Sequence, residues 1–257
     1  RKFDQFLLDK VADKITLTKG RCMEILRTTD ELFVLKVISD GEEKEYTAKI
    51  IVGADGANSL VRKTFFPSQM IPQYVAIQQW IPYTGTQAPY YSCIFDPETS
   101  ESCSWTIHKN GYLIYGGCFK KENCRKMFEK QKKRLAEFLD ISFEKEEKTE
   151  ACLVDRPHRL RDFVTGHDGV YLIGEAAGFI SPSSFEGLSF AMKSGILLAE
   201  SFTNRKEKDL AKTYHRKTLS LRFCLWLKMR KRWFMYTPKI RYLIMRSGLA
   251  SVKMLTK

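Results

Sequence analysis

The chain has 257 residues, enough for one large domain or two small ones, and its 44% apolar content is ordinary for a globular protein. It carries a net charge of +13, but no apolar run reaches the roughly 18 residues of a membrane-crossing helix, and no nucleic-acid motif accompanies the charge. The seven cysteines form no C-x-x-C pair and no Cys/His spacing suited to zinc, so no metal site is legible and the thiols are expected to be reduced, as in a cytosolic protein.

At the start, Phe3, Phe6, Leu7 and Val11 fall on one side of a helix. Ile15–Leu17, Cys22–Arg27 and Leu32–Ile38 read as strands, parted by turn residues at Lys19-Gly20, Thr29-Asp30 and Asp40-Gly41. Glu45–Lys49 alternates and leads into a buried strand, Ile50–Val52. That strand runs into Gly53-Ala54-Asp55-Gly56, at the end where open α/β sheets place ligands. Asp55 also reads as an N-cap for the Ala57–Lys63 turn. Arg62 reads either as half of a structural ion pair or as a cation beside a phosphate.

Turn residues crowd Pro67–Pro72, and the pattern then becomes β-rich and aromatic. Tyr74–Trp80, Tyr90–Phe95, Ser102–His108 and Gly111–Phe119 are the expected strands, and Asn110-Gly111 signals a tight hairpin. Lys121–Leu139 has the spacing of an amphipathic helix with Met127, Leu135, Phe138 and Leu139 inward; Glu146–Val154 returns as a strand. Asp155–His158 and Leu160–Asp162 read as a crossover.

Val170–Ile173 has the length and β-branched content of a buried strand. Gly174 ends it, and Ala176, Ala177 and Gly178 let the backbone approach something closely. A Pro/Ser loop precedes a helix that starts near Gly187, with Leu188, Ala191, Met192, Gly195 and Leu198 spaced for one buried face. Such a helix start, with free N–H groups and the positive end of its dipole, suits an anionic or electron-rich ligand. An ordinary strand–loop–helix unit of an α/β core has the same pattern. The final stretch, from Asn204, holds sixteen Lys and Arg against two Asp and Glu, so it accounts for all the excess charge. Its cations interleave with Trp226, Trp233, Phe234, Tyr236 and Tyr242, and Pro238 breaks it into two helices. It reads either as a helical cap on the core or as a segment that rests on an anionic membrane surface.

Two stretches carry a family resemblance. IIVGADGANSLVR (Ile50–Arg62) and GEAAGFISPSSFEGL (Gly174–Leu188), with corners about 120 residues apart, resemble the two FAD-lining motifs of the flavoprotein monooxygenase/reductase superfamily with the p-hydroxybenzoate-hydroxylase fold. The Gly174–Leu188 stretch is most similar to the geranylgeranyl reductase and CbrA-like branch. The resemblance implies a mixed α/β fold (α/β with α+β character). In it, a glutathione-reductase-like FAD-binding nucleotide domain takes residues 1–70 and 157–203, an inserted antiparallel-sheet substrate domain takes 71–156, and basic C-terminal helices take 204–257. The family's first βαβ unit, with its G-x-G-x-x-G, is absent from this sequence, as is an Arg that would fall just before Arg1. The expectation is therefore a fragment that binds FAD weakly or not at all by itself.

The resemblance further implies that Asp55, Gly56, Gly174, Glu175, Gly178, Pro182, Ser183, Glu186, Gly187 and Leu188 line FAD. Glu175 stands where most members have an Asp that grips ribityl or ribose hydroxyls, and Phe185 stands in a glycine-like position. Cys103-Ser-Trp105-Thr-Ile-His108-Lys109 aligns with a Tyr/Trp-x-Trp-x-x-Pro-Lys element. There Trp105 reads as a pocket wall or as sheet core, His108 as a proton donor or an exposed polar residue, and Cys103 as a thiol near the pocket. The implied activity is reduction of carbon–carbon double bonds in a hydrophobic, isoprenoid or lipid-like small molecule by FADH2, with NAD(P)H or another electron donor. The alternatives are an aromatic monooxygenase or halogenase, and a non-catalytic remnant that binds lipid or a membrane surface. A cytoplasmic, peripheral-membrane location goes with the first reading.

Overall fold

The computed structural model describes residues 2–86, 88–143, 145–203 and 210–247. Arg1 and the 204–209 and 248–257 parts of the basic tail lie outside the described residues. The chain divides into two compact units, 1–52 and 53–257.

In the first unit, helix α1 (Lys2–Asp9) forms as its periodicity predicts, but Phe3, Phe6 and Leu7 remain exposed. Strands β1 (Arg21–Arg27), β2 (Phe33–Ser39) and β3 (Glu42–Ala48) make an antiparallel meander. Phe33 is fully buried and Ile25 nearly so, which fixes the inner face of the sheet. The expected strand at Ile15–Leu17 does not form. The backbone meets the meander there through Ser39 Oγ, which donates to Lys19 O (2.8 Å), instead of through ladder bonds. Strand β4 (Ile51–Gly53) carries the chain into the second unit.

That unit is built on five antiparallel strands in the order β6-β7-β8-β5-β9: β5 (Gln73–Pro82), β6 (Tyr91–Ile94), β7 (Ser104–Lys109), β8 (Tyr112–Lys120) and β9 (Lys148–Asp155). Asn110 and Gly111 both have positive φ (52° and 77°), the two-residue turn their types predict, and Lys109 pairs with Tyr112 across it. One face of the sheet packs under helix α3 (Cys124–Leu139) through Ile77, Ile81, Tyr115 and Phe119. Of the α3 residues expected inward, Leu135 is buried and Met127 and Leu139 pack half-buried against the same cluster; Phe128 and Gln131 are buried beside them. Phe128 stacks on Tyr115 at 4.8 Å, and Gln131 satisfies the Tyr115 hydroxyl at 2.9 Å. The other face of the sheet, with Tyr74, Cys118 and Val154, packs on Ile180, with Trp105 and Phe185 against the same cluster.

The remaining elements are α2 (Leu60–Phe65), a short hairpin β10 (Gly166–His167) and β11 (Val170–Leu172), and helices α4 (Leu188–Thr203), α5 (Leu210–Lys217), α6 (Leu219–Tyr236) and α7 (Pro238–Arg246). Pro238 separates α6 from α7 as expected, because its ring takes the first helical position. The buried face of α4 departs from expectation. Phe190, Ser194, Leu198 and Ser201 face inward, while Leu188, Met192 and Ile196 stay exposed. Hydrogen bonding chooses that face: Ser194 Oγ accepts the Gly174 N–H at 2.8 Å.

Candidate functional site

The first corner is the turn after β4. Gly53 has no room for a side chain, since a Cβ would lie 2.7 Å from Leu172 and 2.8 Å from Val61. Asp55 Oδ2 accepts the N–H groups of Leu60 (2.7 Å) and Val61 (3.2 Å), and Ser59 Oγ accepts that of Arg62 (2.9 Å). Two side chains thus cap α2: Ser59 holds the N-cap position, and Asp55, expected as the N-cap, accepts the first-turn N–H groups from four residues earlier. Gly56 has φ +70°, and a Cβ there would meet nothing within 4 Å, so its backbone borders open space.

The second corner begins where Ile173 N donates to Gly53 O (3.0 Å), which ties the two strand ends together. A 3-10 turn, Gly174–Ala177, follows. Gly178 closes it at φ +81°, and a Cβ there would lie 2.5 Å from Asp162 O. The loop then folds on itself: Ser181 N donates to Glu186 O and Phe185 N to Ser181 O, each at 2.9 Å. Phe185 has φ +56°, which is why the position suits glycine. The first-turn N–H groups of α4, which helix geometry leaves without intrahelical acceptors, open beside Gly187.

Side chains join the two corners. Arg62 is 1% exposed and clasps carbonyl oxygens from three segments: Nη1 donates to Ala176 O (2.8 Å), Nη2 to Asp162 O (2.8 Å) and Nε to Gln69 O (3.0 Å). Burial lowers its pKa to about 10, so it stays charged at neutral pH. Among the described residues its hydrogen bonds go to backbone carbonyls, so it acts as a staple between backbones. A further link runs through Gln73, whose Nε2 donates to Ala57 O (2.5 Å) and to Asp155 Oδ1 (3.2 Å). Asp155 N then donates to Glu175 Oε1 (2.7 Å). Asp55, Gly56, Gly174, Glu175 and Gly178 therefore belong to one continuous hydrogen-bonded region.

The Ser181–Glu186 loop is held from behind by Arg156, also 1% exposed. Its Nε donates to Pro182 O (3.2 Å) and its Nη2 to Glu101 O (3.3 Å). The guanidinium lies 5.0 to 5.4 Å from the rings of Tyr74, Phe185 and Tyr236. Tyr236 Oη donates to Ser183 O (2.6 Å) and accepts the Cys103 N–H (3.1 Å). The carbonyls of Pro182 and Ser183 are thus spent on support. Glu186 is exposed, takes the Ser189 hydroxyl (2.6 Å) and sits 3.5 Å from Lys228; Leu188 is 61% exposed.

The geometry is that of two glycine corners with carboxylates between them and a helix start beside them. Residues 26–221 match the family described as "FAD binding domain". The chain belongs to that family. Protein CbrA of Shigella flexneri serotype 5b is 43% identical over 234 residues, which cover 91% of this chain and 63% of that protein. The corresponding protein of Escherichia coli K12 is 42% identical over 91% of this chain and 65% of its own length. This chain therefore spans less than two thirds of the length of these relatives. In fold, it resembles a geranylgeranyl bacteriochlorophyll reductase-like protein of Thermoplasma acidophilum (TM-score 0.77, 16% identity, 99% of this chain, 68% of that one). It also resembles the flavin-dependent halogenase CmlS (TM-score 0.63, 18% identity, 88% and 44%). The expected mixed α/β fold, the FAD cofactor and the superfamily are borne out.

The residues of this FAD-binding domain fit the group. Gly56 borders open space, a Cβ at Gly187 would make only ordinary contact with Ile180 (3.6 Å), the α4 N-terminus offers N–H groups to electron-rich oxygens, and Asp55 and Glu175 are acceptors suited to hydroxyls. Trp105 lies over Gly116 of the next strand, where a Cβ would come within 2.7 Å of its ring, and it shares the sheet face that meets Phe185. His108 is half-buried at the hairpin end, with its N–H on Tyr90 O (2.8 Å) and its ring edge-on to Tyr83 (5.3 Å). The Cys103 thiol is pushed up by its hydrogen bond to Cys93 and by burial, the reverse of activation. Gln73, Asp155 and Arg156 are not legible as site residues in the sequence, because their partners lie far away along the chain.

Asp155 is 3% exposed, and its carboxyl is pushed up to about 7, chiefly by burial. Such a group holds its proton longer in the folded than in the unfolded state, whose value is about 3.9. Stability therefore falls as pH rises from about 4 to 7, by up to about 4 kcal/mol. In urea unfolding at several pH values, Asp155→Asn is expected to remove most of this slope. An unchanged slope would show that Asp155 ionises freely in the folded protein.

Proposed function

We propose that the two corners hold the isoalloxazine–ribityl part of FAD and that the whole protein is an FAD-dependent oxidoreductase acting on carbon–carbon double bonds of an isoprenoid or lipid-like molecule. The observation that carries the reading is the chain of contacts from Ala57 through Gln73 and Asp155 to Glu175, which brings both family motifs to one place. When bound and reduced, FAD supplies the hydride. Gly56 gives the backbone its close approach, and Gly178 lets the second corner pack against Asp162 O. The N-terminal N–H groups of α4 favour negative charge on the electron-rich edge of the ring. The Arg156 cage keeps the Ser181–Glu186 loop in place. Residues 71–156, with Trp105 on the inner face, serve as the substrate domain, and 1–70 with 157–203 as the nucleotide domain.

The α6–α7 pair supports a lipid-facing role. Phe223, Leu227, Trp233, Phe234, Tyr242 and Leu243 are exposed among the cations of a strongly basic segment. No described helix is long and apolar enough to cross a membrane, so the proposed association is peripheral. The test uses the whole natural protein, reduced without oxygen and mixed with prenyl lipids in anionic or neutral vesicles. Reoxidation of flavin by the lipid, faster with anionic vesicles and slowed by salt, is the expected result. Reoxidation by oxygen alone would favour hydroxylation or halogenation.

A further inference from the structure

A cavity of about 1350 Å³ lies at the edge of the five-stranded sheet. Its walls come from β6 and the loop after it, from α3 and from α7, and they share no residue with the glycine corners. β6 has only four residues and, among the described residues, pairs with β7 alone. Tyr91 and Cys93 alternate with Ser92 and Ile94 across the two faces of the strand, yet all four line the cavity. The cavity therefore wraps the free edge. Ile94, Phe138, Leu139, Tyr242, Leu243 and Met245 give it a mainly apolar wall. Sites for drug-sized ligands take about 300 to 1,000 Å³, so this one has room for a long apolar chain.

Charge decides what such a chain carries at its head. The wall holds two carboxylates, Asp96 and Glu98, and three cations, Arg134, Lys239 and Arg241. The carboxylates are already matched: Arg134 pairs with Asp96 (2.8 Å) and Glu98 (3.2 Å), and Lys130 pairs with Glu98 (3.3 Å). Among the described residues, no carboxylate pairs with Lys239 or Arg241. Arg241 is nevertheless fixed in place. Its guanidinium lies 4.4 Å from the centre of the Phe95 ring, and Nη1 donates to Met235 O (2.9 Å). That bond uses one of five N–H donors, so others remain for an oxyanion. Half-buried, Arg241 has given up water without gaining a counter-ion, and an anionic head group supplies one.

We propose that this cavity binds a single-chain lipid with an anionic head, its chain lying between β6, α3 and α7 and its carboxylate or phosphate on Arg241 and Lys239. Tyr242 and Leu243 are exposed as well as part of the wall, so the chain enters past the outer side of α7. The site is separate from the FAD region and does not depend on the reaction proposed there.

The test uses the whole natural protein, freed of bound lipid, with probes kept below their micelle concentrations. Oleate and oleyl phosphate are the charged probes, and the tighter of the two identifies the head group. The tighter one is expected to bind one per protein, about tenfold or more tightly than oleyl alcohol, as a hydrogen bond to a charged group allows. Arg241→Gln should weaken it about tenfold and leave oleyl alcohol unchanged, which also shows that the cavity is intact. Lys239→Gln, at an exposed position, should weaken it about threefold. Oleate with a diazirine at the chain end is expected to label peptides covering residues 89–98, 131–139 and 238–245 together. Label confined to α6 and α7 would mean adsorption on the basic helices, and label centred on 53–62 and 174–190 would mean binding in the FAD region. Either pattern, or equal affinity for the charged probes and oleyl alcohol, would overturn the proposal.

Discussion

Arg62→Met is expected to lower the stability of the protein by about 4 kcal/mol, read as a drop in the urea midpoint. The guanidinium is almost completely buried, and it is the donor for the carbonyls of Gln69, Ala176 and Asp162. Methionine fills similar volume but donates nothing, so these carbonyls lose a charged donor. Each buried acceptor left without a partner costs about 1 to 3 kcal/mol, and removal of the buried charge offsets part of the sum. Arg62→Lys should recover less than half of the loss, because an ammonium cannot span a fork of three carbonyls. A methionine variant within about 1 kcal/mol of the parent would show that the staple between the corners is dispensable.

The other large effect is expected at Arg156. Its guanidinium joins β5, the Ser181–Glu186 loop and the end of α6 through Tyr74, Pro182, Phe185 and Tyr236. A desolvated cation over an aromatic ring contributes about 2 kcal/mol, and a hydrogen bond to a charged group about 1.5 to 3. Arg156→Met is therefore expected to cost about 3 kcal/mol and to loosen the loop more than the rest of the unit. Amide exchange at Ser184 and Phe185 should speed up by about 100-fold, while amides in β8 change only by the global loss. The Phe185 backbone, held at φ +56°, should relax when the cage opens. Uniform acceleration across the sheet and the loop would mean that Arg156 supports the fold generally and not the loop in particular.

Much of this organisation is legible in the sequence, for local reasons. Short apolar runs ending in glycine mark both corners: a buried strand needs a β-branched run, Gly53 leaves no room for a side chain, and Gly174 exits its strand at positive φ. Asn110-Gly111 and Pro238 are backbone signals that need no tertiary context, and both act where expected. What stays hidden depends on contacts at long range. Arg62 pairs with Ala176, 114 residues away, and the 3.6-residue pattern of α4 does not reveal that Ser194 is turned inward by the Gly174 N–H. The Ile15–Leu17 segment has a strand's composition but forms no strand, and the tie seen just after it is a side-chain bond from Ser39 to Lys19 O.

The central claim is that both glycine corners face the same FAD. Hydrogen–deuterium exchange of the whole natural protein, stripped of FAD and then reloaded with it, tests this directly. The account predicts that peptides covering residues 53–62 and 174–190 gain protection together, with the α4 N-terminus among the most protected sites. Protection confined to one of the two peptides, or to neither, would contradict it.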